Sequence, residues 1–334
     1  MFDQALLQLL NDGEFHTEEQ LVAMLQIPSG KLTQDIQQLQ ILGLEIEYEP
    51  RSGYRLSPGI RLLEKSLILS SLSKNLQDSL ETFDIHLTID STNTEAMRYV
   101  RKGNRGKALI VAEKQESGRG RRGRNWVSPM ARNIYMTLVW PFDDTMKASQ
   151  GLSLVIALSL VKSLQNSALK GMENLKVKWP NDVWLNNKKL AGILLELYRG
   201  ADGAHQVIIG IGINVNMPEE SLNSINQAAT DLVSQGNKTV DRNVILANLI
   251  QQLEFDIELF TEQGFSGFQD QWQQFDLYHN KEVEVLAGTS STFGQVKGVS
   301  PSGALILKTD EGDQLIMGGE LAPSVRAANA AGKI

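Results

Sequence analysis

The sequence contains no cysteine and only four histidines, His16, His86, His205 and His279, which lie far apart along the chain. Disulfide scaffolds, thiolate zinc sites and cysteine nucleophiles are excluded by the first absence. No HExxH spacing occurs, so a histidine-built metal site has no support. Long apolar runs are also missing. The longest, near residues 152–161, is too short to span a bilayer and contains serines. Met1-Phe2-Asp3 lacks the basic start of a signal peptide, so a cytoplasmic protein without membrane contact is expected. Cations are in the minority: 32 Lys plus Arg stand against 39 Asp plus Glu, a net charge of −7. A globally basic nucleic-acid coat protein is thereby excluded, and any phosphate binding must be local.

What is present is ordinary globular material. With 334 residues, 42% hydrophobic and 21% charged, the chain has ample core for two or three domains. Residues 1–62 read as a small helical unit. Leu6, Leu7 and Leu10 mark a first helix ending near Gly13, and Thr17-Glu18-Glu19-Gln20 is a capping-box pattern followed by Leu21, Met24 and Leu25. After the turn at Ile27-Pro28-Ser29-Gly30, Leu32, Ile36 and Leu39 form a second stripe stopped by Gly43. Two short apolar runs around Pro50-Arg51-Ser52-Gly53 suit a hairpin. Together these predict a winged helix-turn-helix. Candidate DNA-contacting residues are Lys31, Thr33, Gln34, Gln37 and Gln38 on the motif helix and Arg51 and Arg55 on the wing, since glutamine can read adenine. Against this, residues 1–60 hold three cations and nine acids, which also suits an oligomerisation module.

Residues 63–275 alternate strand-like runs (85–89, 108–112, 134–139, 193–197, 207–215) with helical patterns (151–164, 244–260), predicting a mixed α/β (α+β) domain. The first of those helical patterns is apolar nearly all round and is expected to be buried. Residues 276–326 carry short runs around Val283, Val285, Val296, Leu305, Leu307 and Leu315, punctuated by Gly288, Gly294, Gly303 and Gly312. A small β-barrel is expected there, with a frayed tail over residues 327–334.

The chemistry concentrates in residues 98–124, where ten cations face only Glu113 and Glu116, a local net charge of +8. The segment ends in Gly118-Arg119-Gly120-Arg121-Arg122-Gly123-Arg124. Glycine lets backbone N–H groups approach a ligand, and arginine offers a bidentate fork to phosphate or carboxylate. Such a loop suits a polyanion, and its mutually repelling charges are expected to keep it mobile until one arrives. The string satisfies GxGxxG, yet Asn125-Trp126-Val127-Ser128-Pro129 is no helix start, so a dinucleotide-binding fold is rejected. A second Gly-x-Gly, Gly210-Ile211-Gly212, precedes Ile213-Asn214 and is assigned to close strand packing beside a ligand. Asp90-Ser91-Thr92-Asn93, Lys178-Trp179-Pro180-Asn181-Asp182 and Lys188-Lys189-Leu190-Ala191-Gly192 each set polar residues beside an apolar run. The first also suits a helix N-cap. The apolar run after Gly192 puts Lys189 at a buried edge. Trp126 and Trp179 suit either a core or a flat face for a base.

These motifs, in this order, resemble the biotin protein ligases, and with the N-terminal helix-turn-helix they resemble the bifunctional branch that also represses the biotin operon. The resemblance implies a central domain like class II synthetases and a C-terminal SH3-like barrel. It implies that biotin and ATP form biotinyl-5′-adenylate, with Mg²⁺ accompanying ATP, and that biotin passes to a lysine of a biotin carboxyl carrier protein. Ser91, Thr92 and Asn93 would hold the biotin head, with Gln115 adding a polar contact. Gly118, Arg119, Gly120 and Arg121 would close over the adenylate, Lys189 beside Gly192 would neutralise the reacting groups, and Trp126 would pack on adenine. Asn181, Asp182 and Asn214 would orient phosphate or metal. The adenylate-bound form would dimerise and bind operator DNA. Other readings are a ligase whose N-terminal unit binds no DNA, a non-catalytic ligand-sensing transcription factor, a lipoate or octanoate transferase, and an RNA-binding protein.

Overall fold

The computed structural model describes residues 4–142, 151–237, 240–287 and 290–323; the expectations for Gly288 and for the tail at 327–334 lie outside them. Near the N-terminus, helices α1 (Gln4–Leu10), α2 (Glu18–Leu25) and α3 (Ser29–Ile41) precede the hairpin β1 (Ile46–Glu49) and β2 (Gly53–Leu56). The Thr17 hydroxyl caps the Gln20 N–H while the Gln20 side chain returns to the Thr17 N–H, so α2 starts where the capping box puts it. Leu21, Leu32, Ile36 and Leu39 are buried, but Met24 is 58% exposed. This is the expected winged helix-turn-helix arrangement.

The middle of the chain builds a seven-stranded sheet in the order β3-β4-β5-β9-β8-β7-β6. Its strands are β3 (Leu80–His86), β4 (Lys107–Ala112), β5 (Ile134–Phe142), β6 (Leu175–Lys178), β7 (Asp182–Leu185), β8 (Lys188–Arg199) and β9 (His205–Ile213). Only β3 and β4 run parallel; the other neighbouring pairs are antiparallel. Short helices α4 (Lys65–Ser70) and α5 (Lys74–Ser79) lead into β3, and α6 (Thr92–Arg101) connects β3 to β4. One sheet face is covered by α7 (Leu152–Gln165) and α8 (Arg242–Gln263); α7 is buried almost all round, as its composition predicts.

Side chains alternate across a strand, so each face reads as a separate set. On β9, Val207, Ile209, Ile211 and Ile213 enter the core under α7. Ile208 joins Ala96 and Val100 of α6 on the opposite face, and Gly210 and Gly212 continue that face beyond the helix. Where α6 ends its cover, the glycines leave a hollow.

The C-terminal strands β10 (Glu282–Ala287), β11 (Ser290–Val299), β12 (Leu305–Thr309), β13 (Gly312–Ile316) and β14 (Glu320–Pro323) form an antiparallel sheet in the order β13-β12-β11-β10-β14. It is fastened to the middle sheet by the buried Trp179, whose Nε1 donates to the Gly303 carbonyl at 3.1 Å. Among the described residues, no helix is long and apolar enough to cross a membrane.

Candidate active site

The hollow is an open cleft enclosing about 960 Å³, part of it continuous with solvent. Its floor is β8 and β9, where Gly192 pairs with Gly212 and Leu194 with Gly210. Glycine is needed because large groups lie directly on it. A Cβ on Gly210 would stand 2.0 Å from Asn93 Oδ1, and one on Gly212 would stand 2.4 Å from the Trp126 indole. The close-packing role expected for this Gly-x-Gly is therefore what the structure has.

One wall is the start of α6. Its N-cap, Ser91, makes no side-chain capping bond, so its residue type is not explained by capping. Ser91, Thr92 and Asn93 are all buried. Thr92 N–H donates to Gln115 Oε1 at 3.0 Å, and Gln115 Nε2 donates to Ser128 Oγ at 3.2 Å. The Thr137 hydroxyl lies 2.8 Å from Thr92 Oγ1 and 2.7 Å from Asn93 Oδ1. Thr137 and Ser128 were not singled out from sequence. A hydroxyl in a strand or loop carries no pattern of its own.

The roof is the arginine loop. It closes as a small hairpin, with Gly120 N–H donating to the Arg124 carbonyl at 2.7 Å and Trp126 N–H to the Gly118 carbonyl at 2.9 Å. Arg121–Gly123 is one 3-10 turn with Arg122 left-handed at φ 56°, and no α-helix follows it. The expectation of unpaired, mutually repelling arginines is corrected by the fold, which brings partners from distant strands. Arg119 meets Glu196 of β8 at 3.2 Å, and Arg124 holds Glu320 of β14 at 2.6 Å with Arg122 beside it at 3.5 Å. Arg121 Nη1 donates to Asn181 Oδ1 at 2.9 Å. Burial holds Arg121 below the usual guanidinium range.

The far wall is the β6–β8 edge. Lys189 Nζ lies 2.9 Å from Asp182 Oδ2 and 5.5 Å from the Trp126 ring centroid, in the half-buried position its surroundings predict. Lys178 also lines the cleft, and burial lowers its ammonium pKa. The other Asp182 oxygen, Oδ1, is buried without a hydrogen-bond partner. Asn181 has both ends of its amide engaged, by Arg121 and by the Ile193 carbonyl at 2.7 Å. Among the described residues, no three His, Asp or Glu side chains converge as a metal cage. Instead, Lys178 and Arg121, whose burial is costly until negative charge arrives, stand beside the Asp182-paired Lys189 and give a cleft for anions.

Most residues singled out from sequence thus converge: Ser91, Thr92, Asn93, Gln115, Arg119, Gly120, Arg121, Trp126, Asn181, Asp182, Lys189 and Gly192 all line the cleft. Gly118 stands just behind, too close to Trp126, Gln115 and Ser128 to carry a Cβ. Asn214 is not in the lining; it is buried just past the end of β9, its amide donating to the Thr230 carbonyl at 3.1 Å. Trp179 is core. Sequence reasoning missed Glu196 and Glu320. On the N-terminal unit, Thr33, Gln34, Gln37 and Arg51 are exposed, whereas Lys31 is paired with the buried Asp35 and Arg55 with Glu47 at 2.8 Å.

This geometry has counterparts. The biotin/lipoate A/B protein ligase family matches residues 86–214, and the biotin protein ligase C-terminal domain matches residues 278–321. The chain is 37% identical to the bifunctional ligase/repressor BirA of Salmonella typhimurium over 323 residues, 97% of each chain. Identity to the same-named protein of Escherichia coli is 36%, again over 97% of each. A solved biotin protein ligase from Aquifex aeolicus, in complex with biotin and ATP, is 30% identical with a TM-score of 0.60, covering 73% of this chain and 98% of that one. With an arginine hairpin over a glycine floor and relatives matched along nearly its whole length, this chain belongs to the biotin protein ligase family.

Proposed function

We infer that the chain is an ATP-dependent biotin protein ligase and a biotin-responsive repressor. The observation that carries the first part is the convergence of Arg121, Lys178 and Lys189 over a floor of glycines. Joining a carboxylate to ATP brings two anions together and builds charge on the α-phosphate and the departing pyrophosphate. No enzyme nucleophile is needed: the biotin carboxylate attacks the α-phosphorus, and a lysine amine of a carrier protein later attacks the mixed anhydride. Lys189 neutralises the reacting oxygens, Arg121 spans the carboxyl–phosphate junction, and Trp126 offers its face to adenine. Ser91, Thr92, Asn93 and Gln115 take the polar head of biotin. Asp182 Oδ1 is a buried oxygen without a hydrogen-bond partner, close to Arg121, Lys178 and Lys189. That fits Mg²⁺ carried in by phosphate and water better than a protein-built cage. When bound, Mg²⁺ offsets phosphate charge.

The three units proposed are 1–62, 63–275 and 276–326. The exposed Thr33, Gln34, Gln37 and Arg51 are the surface for operator DNA, and dimerisation of the adenylate-bound form doubles those contacts. The full-length match to proteins named ligase/repressor supports this reading.

Pyrophosphate release on adding biotin and ATP, followed by mass spectrometry for retained biotinyl-adenylate, tests the ligase. Lys189→Ala should fold and lose most adenylation. Arg121→Gly should leak adenylate, seen as biotin on bystander lysines. Near-normal adenylation by Lys189→Ala, or strict carrier specificity in Arg121→Gly, counts against these roles. Mobility shift on the protein's own biotin-gene promoter, with and without biotin and ATP, tests repression.

A further inference from the structure

A carboxylate is the wrong charge for a cleft that receives two anions, yet Glu196 stands at its rim on β8. It follows Gly192 and Leu194 on the strand's cleft-facing side, and it pairs with Ile208 of β9 beneath α6. Two groups meet it. Asn93 Nδ2 donates to Oε2 at 2.8 Å, and Arg119 Nη2 lies 3.2 Å from the same oxygen. An exposed Arg–Glu pair alone contributes little. Asn93 changes that assessment, because it is 4% exposed and rests on Gly210, so its amide must be satisfied inside the protein.

The amide is fixed from both sides. The Thr137 hydroxyl serves Asn93 Oδ1, and an ionised carboxylate only accepts. Glu196 therefore forces the nitrogen end of Asn93 toward itself and leaves one N–H over. The same carboxylate tethers the first arginine of the loop. One side chain thus sets the donor pattern at the head of the cleft and the seat of its roof.

Resting on the ligase reading above, we propose that Glu196 is a positioning residue that orients Asn93 for the polar head of biotin and holds Arg119 so that the loop closes over the adenylate. Glu196→Ala releases both partners. Glu196→Gln keeps an acceptor for Asn93 and loses the charge that holds Arg119. The two functions are therefore separable.

The experiment uses the full chain. Biotin binding is measured calorimetrically without ATP; KM for biotin and for ATP are measured by pyrophosphate release; adenylate loss is followed after rapid dilution. Glu196→Ala should weaken biotin binding and raise its KM by ~10-fold, about 1.4 kcal/mol, with ATP KM nearly unchanged. Glu196→Gln should restore biotin binding to within ~3-fold of the parent, under 1 kcal/mol by the same conversion, while still losing adenylate faster. Equal biotin binding and adenylate lifetime in the parent and both variants would overturn the assignment with the ligase reading intact. An equal rise in both KM values, or no rescue by Glu196→Gln, would also overturn it, since that is how general damage to β8 behaves. A parent protein that releases no pyrophosphate with biotin and ATP sinks the ligase reading itself, and this assignment with it.

Discussion

Single residues carry unequal burdens, and Asp276 shows how one can be a cost. It sits between the middle sheet and the C-terminal strands, with Oδ1 accepting the Tyr278 N–H at 3.0 Å and Oδ2 buried without a partner. Burial pushes its carboxyl up to about 6, from an ordinary 3.8. The folded state keeps this proton up to about pH 6, whereas the unfolded chain releases it near 3.8. The favourable contribution is thus complete below the unfolded value and is lost as pH rises from about 4 to about 6. Asp276→Asn keeps the acceptor for Tyr278 and removes the ionisation. It should be more stable than the parent at pH 8 by on the order of 2–3 kcal/mol, and no more stable near pH 4. Urea unfolding at the two pH values checks this, and an equal difference at both would refute it. At this scale the sequence exposes residues whose chemistry is intrinsic. Arg121 and Lys189 stand out because charge beside glycine and apolar runs is unusual. Glu196, Thr137 and Ser128 are common residue types whose meaning comes from partners 103, 44 and 13 positions away. Asn214, which only the resemblance implied as a ligand contact, has its amide on the Thr230 carbonyl and lies outside the cleft lining.

At the scale of elements, periodicity was readable wherever one pattern served one purpose. β4 alternates Leu109 and Val111 into one core with Ala108 and Ile110 into the other, and its bounds match the apolar run closely. The neighbouring β3 did not read so cleanly. Ile85, Leu87 and Ile89 alternate as a strand should, yet the strand is Leu80–His86. Leu87 packs into the N-terminal cluster, so its apolarity reports a contact between units rather than a pleat. Glycines on β9 were legible as close approach, while what approached them was not. Their role gives a direct prediction. Gly212→Ala puts a methyl 2.4 Å from the Trp126 indole and must tilt that ring. The protein should still fold, with altered tryptophan fluorescence and an adenylate lifetime shortened by ~10-fold, about 1.4 kcal/mol. Gly318→Ala, with open space around its new Cβ, is the control. An unshortened lifetime in Gly212→Ala would separate Trp126 from adenylate retention.

For the molecule as a whole, one buried ion pair ties the N-terminal unit to the sheet. Arg242 Nη1 lies 2.6 Å from Glu113 Oε2, with the two side chains 4% and 3% exposed. Glu113 Oε1 accepts the Leu63 N–H at 2.5 Å, and Arg242 Nη2 donates to the Arg61 carbonyl at 2.6 Å. The connecting segment is thus clamped from both charges. Arg242→Ala should cost ~3–5 kcal/mol by stranding Glu113 in the interior, read by denaturant unfolding. A cost below 1 kcal/mol would show the pair to be dispensable. The sequence does not show this pairing, because the partners lie 129 residues apart.

The arginine loop is also held at both roots by that same N-terminal unit. Just before Gln115, Lys114 Nζ donates to the Leu42 carbonyl at the end of α3, at 3.1 Å. Just after Ser128, Met130 and Ala131 enter the N-terminal core, and Arg132 pairs with Glu45. A rope fixed at two posts takes its slack from where the posts stand. Any rearrangement that moves Leu42 or Glu45 resets how far the middle of the loop can sag toward the glycine floor, even though neither residue touches the cleft.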